Sequence, residues 1–309
     1  MSGHPALLVV GHGSRSAAGV DEYWRLADVV RSQAPDIEVG CGFIELAKPD
    51  LDTAVDHLVA GGATSVVASP LILLGAGHLK NDGPAALHRG RHRHPEVDFH
   101  YARDLGIHPL VLAVAGDRIA EVVGADDPAA TAMVVVGRGS SDPDANADLY
   151  KVGRLLGDAT GVGLVEPAFV SLAPPGVAAA LDRCLRLGAT RIAVVPYFLF
   201  TGVLVDRIRD QTTAWAAEHA GIDVRHGPHL GADPRIAALL LDRYREALAG
   251  QARMNCDLCV YRTPLPGHEH RVGTPAGVGH AHDHSGQTSS ASPTPSTIRR
   301  GGDATGEHR

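Results

Sequence analysis

Three side chains pose the chemical question: His12 in LLVVGHGSRS, Glu45 in FIELAKP and His78 in PLILLGAGHLKND. Each comes just after an apolar run that reads as a buried strand, a place where packing alone calls for neither an imidazole nor a carboxylate. Two neutral imidazoles and one carboxylate suit a divalent first-row ion such as Co2+ or Fe2+, and the same groups can take protons from a substrate. The set is short of a closed four-ligand shell, so positions stay open to water or substrate, as in catalytic rather than structural metal sites. Singly, each residue has a plainer reading. His12 can be a turn residue bonding the backbone, Glu45 a carboxylate at the start of the helix after Lys48-Pro49, and His78 a solvated loop residue. Their joint occurrence at equivalent strand ends favours chemistry.

An internal repeat strengthens that reading. Shifted by 126 residues, the chain aligns with itself without a gap: VVGHGS at 9–14 falls on VVGRGS at 135–140, FIELAKP at 43–49 on FVSLAPP at 169–175, and Pro70 on Pro196. The positions matching His12, Glu45, His78 and Lys80 hold Arg138, Ser171, Leu204 and Asp206. If the second copy folds like the first, the fold itself does not need the two imidazoles and the carboxylate.

The elements that must position these residues follow from periodicity. In the first copy ALLVV, VGCGFI, TSVVAS and VDFHYA read as strands, with helices at 18–33, 50–60, 82–92 and 108–122. In the second, AMVVV, VGLVEPAFV, RIAVVP and IDVRH are strands, and helices fall near 144–158, 174–187, 202–220 and 233–249. Strands separated by helix-length crossovers make a parallel sheet covered on both faces, and ligands of such sheets sit beyond the carboxyl ends of the strands. The expected fold class is α/β: two similar domains, each a parallel sheet flanked by helices. Domain boundaries are read as 1–124, 125–250 and a Cys/His-rich flexible, disordered tail at 251–309, where large apolar residues almost vanish.

With 309 residues, 44 % of them hydrophobic, the chain can build real cores, and its formal charge of −7 offers no broad basic surface for nucleic acid. No apolar run is long enough to cross a membrane, and four cysteines are too few for a disulfide framework, so a cytoplasmic location is expected.

VVGHGSR, FIELAKP and PLILLGAGHLKND, in that order at three strand ends, resemble the sirohydrochlorin chelatases of the CbiX/SirB type, in their long, internally duplicated form. The resemblance spans roughly residues 5–250. It implies a lyase that inserts a metal into the tetrapyrrole sirohydrochlorin, with His12 and His78 facing each other across an interdomain cleft as ligands and bases and Glu45 assisting. Cobalt insertion for cobalamin synthesis is the favoured form, and iron insertion for sirohaem the alternative. Sirohydrochlorin carries many carboxylates, for which Arg15, Lys80, Arg138 and Arg207 are the candidate partners, Arg138 foremost because it stands in for His12. In the tail, Cys256 and Cys259 form a CxxC that can grip a metal. Its resemblance to the extension of long cobalt-type members implies an iron–sulfur cluster, with a homodimer through the tail as a way to complete the thiolates. His268, His270, His280, His282 and His284 are candidates for buffering Co2+ or Ni2+. Two other classes compete: a histidine phosphatase, disfavoured because Gly11 and not arginine precedes His12, and a non-catalytic metallochaperone suggested by the tail.

Overall fold

The computed structural model describes residues 5–254 and 257–274. Strands and α-helices alternate along them: β1 (Pro5–Gly11), α1 (Ala17–Gln33), β2 (Val39–Phe43), α2 (Leu51–Ala60), β3 (Ser65–Pro70), α3 (Gly83–Arg93), β4 (Asp98–Tyr101) and α4 (Pro109–Val123). The second copy continues with β5 (Ala132–Gly137), α5 (Pro143–Thr160), β6 (Leu164–Phe169), α6 (Val177–Arg186), β7 (Arg191–Pro196), α7 (Val203–Glu218), β8 (Asp223–His226) and α8 (Pro234–Leu248). They form two wholly parallel sheets, ordered β2-β1-β3-β4 and β6-β5-β7-β8. Local detail repeats too: cis Lys48–Pro49 matches cis Pro174–Pro175, and the left-handed residue Leu46 matches Leu172.

Period-two alternation explains how each strand is buried on both faces. In β1, Ala6, Leu8 and Val10 pack outward with Leu51, Val55 and Leu58 of α2 and Leu87 of α3. Leu7 and Val9 face the other way, into a core shared by both copies that also takes Met133 and Val135 of β5. A third cluster under α6 and α7, with Leu181, Ile208 and Trp215, covers the outer face of the second sheet. Side-chain caps start the helices: Ser16 accepts from the Gly19 N–H and Asp50 from that of Thr53, while Pro109, Pro143 and Pro234 sit in the first turns of α4, α5 and α8.

The last helix of each copy crosses to the other. α8 packs on α1, β3 and β4 of the first copy, and α4 packs on α5 and β7 of the second. Tyr244 of α8 donates to the Pro5 carbonyl at 2.9 Å, the buried Arg243 to those of Asp104 and Leu105 at 2.9 and 2.8 Å, and Arg118 of α4 to that of Leu230 at 3.0 Å. Both copies belong to one compact unit.

Two local features depart from the periodic reading. α6 begins at Val177, because the Phe169 N–H bonds the Pro175 carbonyl and Phe169 bridges Gly176, which keeps the chain extended that far. The segment carrying His78 is a π-helical turn, His78–Asp82, running straight into α3. Residues 257–274 pack against the body: Cys259 and Val260 are buried, and Arg271 donates to the Ser141 carbonyl at 3.0 Å. Among the described residues no helix is long and apolar enough to cross a membrane.

Candidate metal centre

In the order β2-β1-β3-β4 the chain leaves β1 to one side and returns to β3 on the other, so the crevice beyond the ends of β1 and β3 is the switch point where such sheets hold ligands. His12 lies just past β1, Glu45 past β2, and His78 opens the π-helical turn after β3. The first two are locked together through backbone. Gly13 has φ +95°, and a Cβ there would lie 1.7 Å from the Glu45 carbonyl oxygen, so only glycine admits the approach. The Glu45 N–H donates to the His12 carbonyl at 3.1 Å, and a tight turn about Leu46 (φ 63°), closed from the Ala47 N–H to the Glu45 carbonyl at 2.8 Å, aims the carboxylate.

The three side chains converge. The His12 and His78 rings meet edge to face with centroids 4.4 Å apart, His12 Nε2 lies 3.5 Å from Glu45 Oε1, and one ligand atom from each of the three falls within 4.8 Å of the others. Hydrogen bonding on the far side of each ring fixes the tautomer. His12 Nδ1 sits 3.1 Å from the Gly13 carbonyl and His78 Nδ1 2.6 Å from Asp82 Oδ2; a carbonyl and a carboxylate only accept, so the proton belongs on Nδ1 and the lone pair on Nε2. A carboxylate behind an imidazole in this way fixes its orientation. Glu45 Oε1 is buried and has no hydrogen-bond partner among the described residues. Two lone-pair atoms facing each other at 3.5 Å repel unless a proton or cation lies between them, so the donor set fits a divalent ion.

The second copy supplies a cation at this point. Arg138 Nη1 lies 3.4 Å from His12 Nε2, which places the centre at the junction of the two copies. Burial lowers the guanidinium's pKa, and the Glu45 charge opposes that shift. Arg15, in the turn after β1, and Arg207, near the start of α7, are exposed. Lys80 is engaged differently from the expectation that it pairs with substrate: its ammonium is held at 2.8 Å by Asp142 and at 3.1 Å by Asp144, all three nearly buried. Burial disfavours the ammonium, but the two carboxylates more than offset this and raise its pKa. The charge is already balanced, and the residue ties the His78 turn to the start of α5.

Sequence reasoning overlooked Asp82, Asp142 and Asp144. HLKND does place a carboxylate four residues after His78, a signal usable only once the segment is read as helical. Of the tail candidates, Cys259 is buried, His268 half-buried and His270 exposed, whereas Cys256, His280, His282 and His284 lie outside the described residues. Cys41 and Cys184 are buried within the two copies, so the described residues do not assemble the four thiolates an iron–sulfur cluster ordinarily takes.

Comparison with known proteins gives a consistent picture. The family model CbiX matches residues 6–122 and again 132–247. The chain is 38 % identical over 272 residues, 87 % of its length and 89 % of the relative's, to the sirohydrochlorin cobaltochelatase of Priestia megaterium. It is 29 % identical to the sirohydrochlorin ferrochelatase of Bacillus subtilis, covering 79 % of this chain and 92 % of that one. Among solved structures, SirB from Bacillus subtilis with Fe3+ aligns with a TM-score of 0.71 at 29 % identity over 81 % of this chain and 99 % of that chain. The sirohydrochlorin chelatase SirB in complex with cobalt, from Bacillus subtilis subspecies spizizenii, aligns at 0.68 over 80 % and 98 %.

Proposed function

The chain belongs to the CbiX family, and from that premise we propose that it is a lyase that inserts a divalent metal, cobalt foremost, into sirohydrochlorin. The observation that carries the reading is the convergence of His12, Glu45 and His78 within 4.8 Å at the junction of the two copies. The metal enters as a substrate. Its insertion requires the loss of two pyrrole protons and a donor set that holds the ion loosely enough to give it up. His12 Nε2 and His78 Nε2 are the proposed ligands and proton acceptors, and Glu45 the charged ligand whose buried oxygen needs a positive partner. Arg138, Arg15 and Arg207 are the proposed partners for substrate carboxylates, with Arg138 at the junction itself.

Cobalt is favoured because the cobaltochelatase relative is 38 % identical and covered over 89 % of its length. Insertion of iron, for sirohaem, is the second reading, favoured by the ferrochelatase relative. The ligand types suit both ions. We place the protein in the cytoplasm. A homodimer through the tail, and a cluster or metal at Cys256 and Cys259, remain proposals that rest partly on residues outside those described.

The test is an absorbance assay of sirohydrochlorin with Co2+ or Fe2+ and a substoichiometric amount of protein. Many equivalents of metallated product per chain, faster with Co2+, are expected. Product limited to one equivalent or less with either ion would indicate a metal-binding or metallochaperone protein instead.

A further inference from the structure

We propose that His88 and His92, on the outer face of α3, form a surface site for a first-row divalent cation, separate from the centre at His12, Glu45 and His78. The two residues are four apart on one helix and therefore share a face. Both are exposed. Their rings meet edge to face with centroids 4.6 Å apart, and the two Nε2 atoms lie 3.1 Å from each other. With metal–nitrogen bonds of about 2.1 Å, nitrogens at that spacing subtend roughly 95° at an ion bound to both. That angle matches adjacent corners of an octahedral or tetragonal shell better than a tetrahedral one, so the geometry suits Co2+, Ni2+ or Cu2+ over Zn2+. Water fills the remaining corners, since both imidazoles face solvent.

Three arginines flank the pair and would repel a cation if their charges were loose. Arg89 Nε bonds Asp52 at 3.1 Å, and Arg93 bonds Asp56 at 3.2 Å and pairs with Asp52 at 3.3 Å. Arg91 donates to the Phe99 carbonyl at 2.7 Å. Two of the three guanidiniums are thus balanced by carboxylates of α2, and the third is turned toward β4. His94 is also engaged elsewhere, its Nε2 lying 2.7 Å from Asp56. The helix carrying the pair begins immediately after Asp82, the carboxylate behind His78, so the site stands on the element that leads away from the cleft. It neither uses the chelatase reading nor supports it, and its failure would leave that reading intact.

Full-length protein and the double variant His88→Gln/His92→Gln are dialysed to equilibrium against Ni2+. The tail histidines are present in both and cancel in the comparison. The variant is expected to bind one ion fewer per chain, and Ni2+ to shield both imidazoles of the parent from diethylpyrocarbonate, read by peptide mass spectrometry. Insertion activity at saturating cobalt and the thermal melt should be unchanged, which shows that the variant is folded. Equal Ni2+ stoichiometry in the two proteins, or acylation of His88 and His92 at the same rate with and without the ion, would overturn the site and leave an imidazole–imidazole hydrogen bond in its place.

Discussion

Arg138 stands where the first copy has His12, and the two side chains meet at 3.4 Å. The duplication has placed an imidazole and a fixed positive charge at matching positions, pointed at one spot. A guanidinium beside a cation site lowers its affinity for the ion, which suits a protein that must surrender the metal to a ring, and the same charge attracts the carboxylates of that ring. Replacing it with an uncharged chain of similar length should separate the two effects. In Arg138→Met, Co2+ binding without tetrapyrrole is expected to tighten about tenfold, or roughly 1.4 kcal/mol, while the KM for sirohydrochlorin rises. Calorimetry and steady-state kinetics on one preparation read both. An unchanged metal affinity would remove the argument for a counter-charge.

The turns that carry the proposed ligands depend on backbone approaches that few residues allow. Gly13 at φ +95° and Gly139 at φ +85° occupy matching turns, and a Cβ would fall 1.7 Å from the Glu45 carbonyl oxygen in the first and 2.0 Å from that of Ser171 in the second. Gly13→Ala and Gly139→Ala should therefore both destabilise the fold, by about 1–3 kcal/mol each. Only Gly13→Ala should also weaken Co2+ binding, because it alone displaces His12 and Glu45. Denaturant melts paired with metal titrations test the contrast. Much of this was legible in the chain: strand-end placement exposed His12, Glu45 and His78, and the repeat set them apart from Arg138, Ser171 and Leu204. The contacts that fix them were not. That His78 leans on Asp82, or Lys80 on Asp142 and Asp144, follows from a π-helical turn and from pairing between residues more than sixty apart, neither of which has a periodic signature. The exchange of α4 and α8 was likewise invisible, since an amphipathic pattern states that a helix covers a sheet without saying which sheet.

At the scale of the whole molecule, the second copy brings Arg138 to a centre whose three converging side chains all belong to the first, and the seam between the copies is polar where it nears the site. Lys80 bridges to Asp142 and Asp144 within that seam. Removing its charge takes the ammonium away from two buried carboxylates, so Lys80→Met should cost about 3–5 kcal/mol in chemical denaturation. The triple variant Lys80→Met/Asp142→Asn/Asp144→Asn should recover most of that loss. A second seam group, Asp104, lies near Arg243 of α8; burial pushes its carboxyl up to about 6 from the ordinary 3.8. The folded chain therefore holds this proton over a range where the unfolded chain has released it. Its contribution to stability falls as pH rises from about 4 to 6 and is level above that, by roughly 3 kcal/mol at most. Asp104→Asn should abolish that part of the pH dependence, measured as the difference between the two proteins' melts across the interval.

On the reading proposed above, the imidazoles that survive in one copy alone carry out metal insertion. The most direct measurement is the rate of cobalt insertion into sirohydrochlorin by folded His78→Ala at saturating Co2+. A rate close to that of the uncatalysed reaction is expected. A rate equal to that of the parent would rule out the imidazole of His78 as a group that carries the reaction.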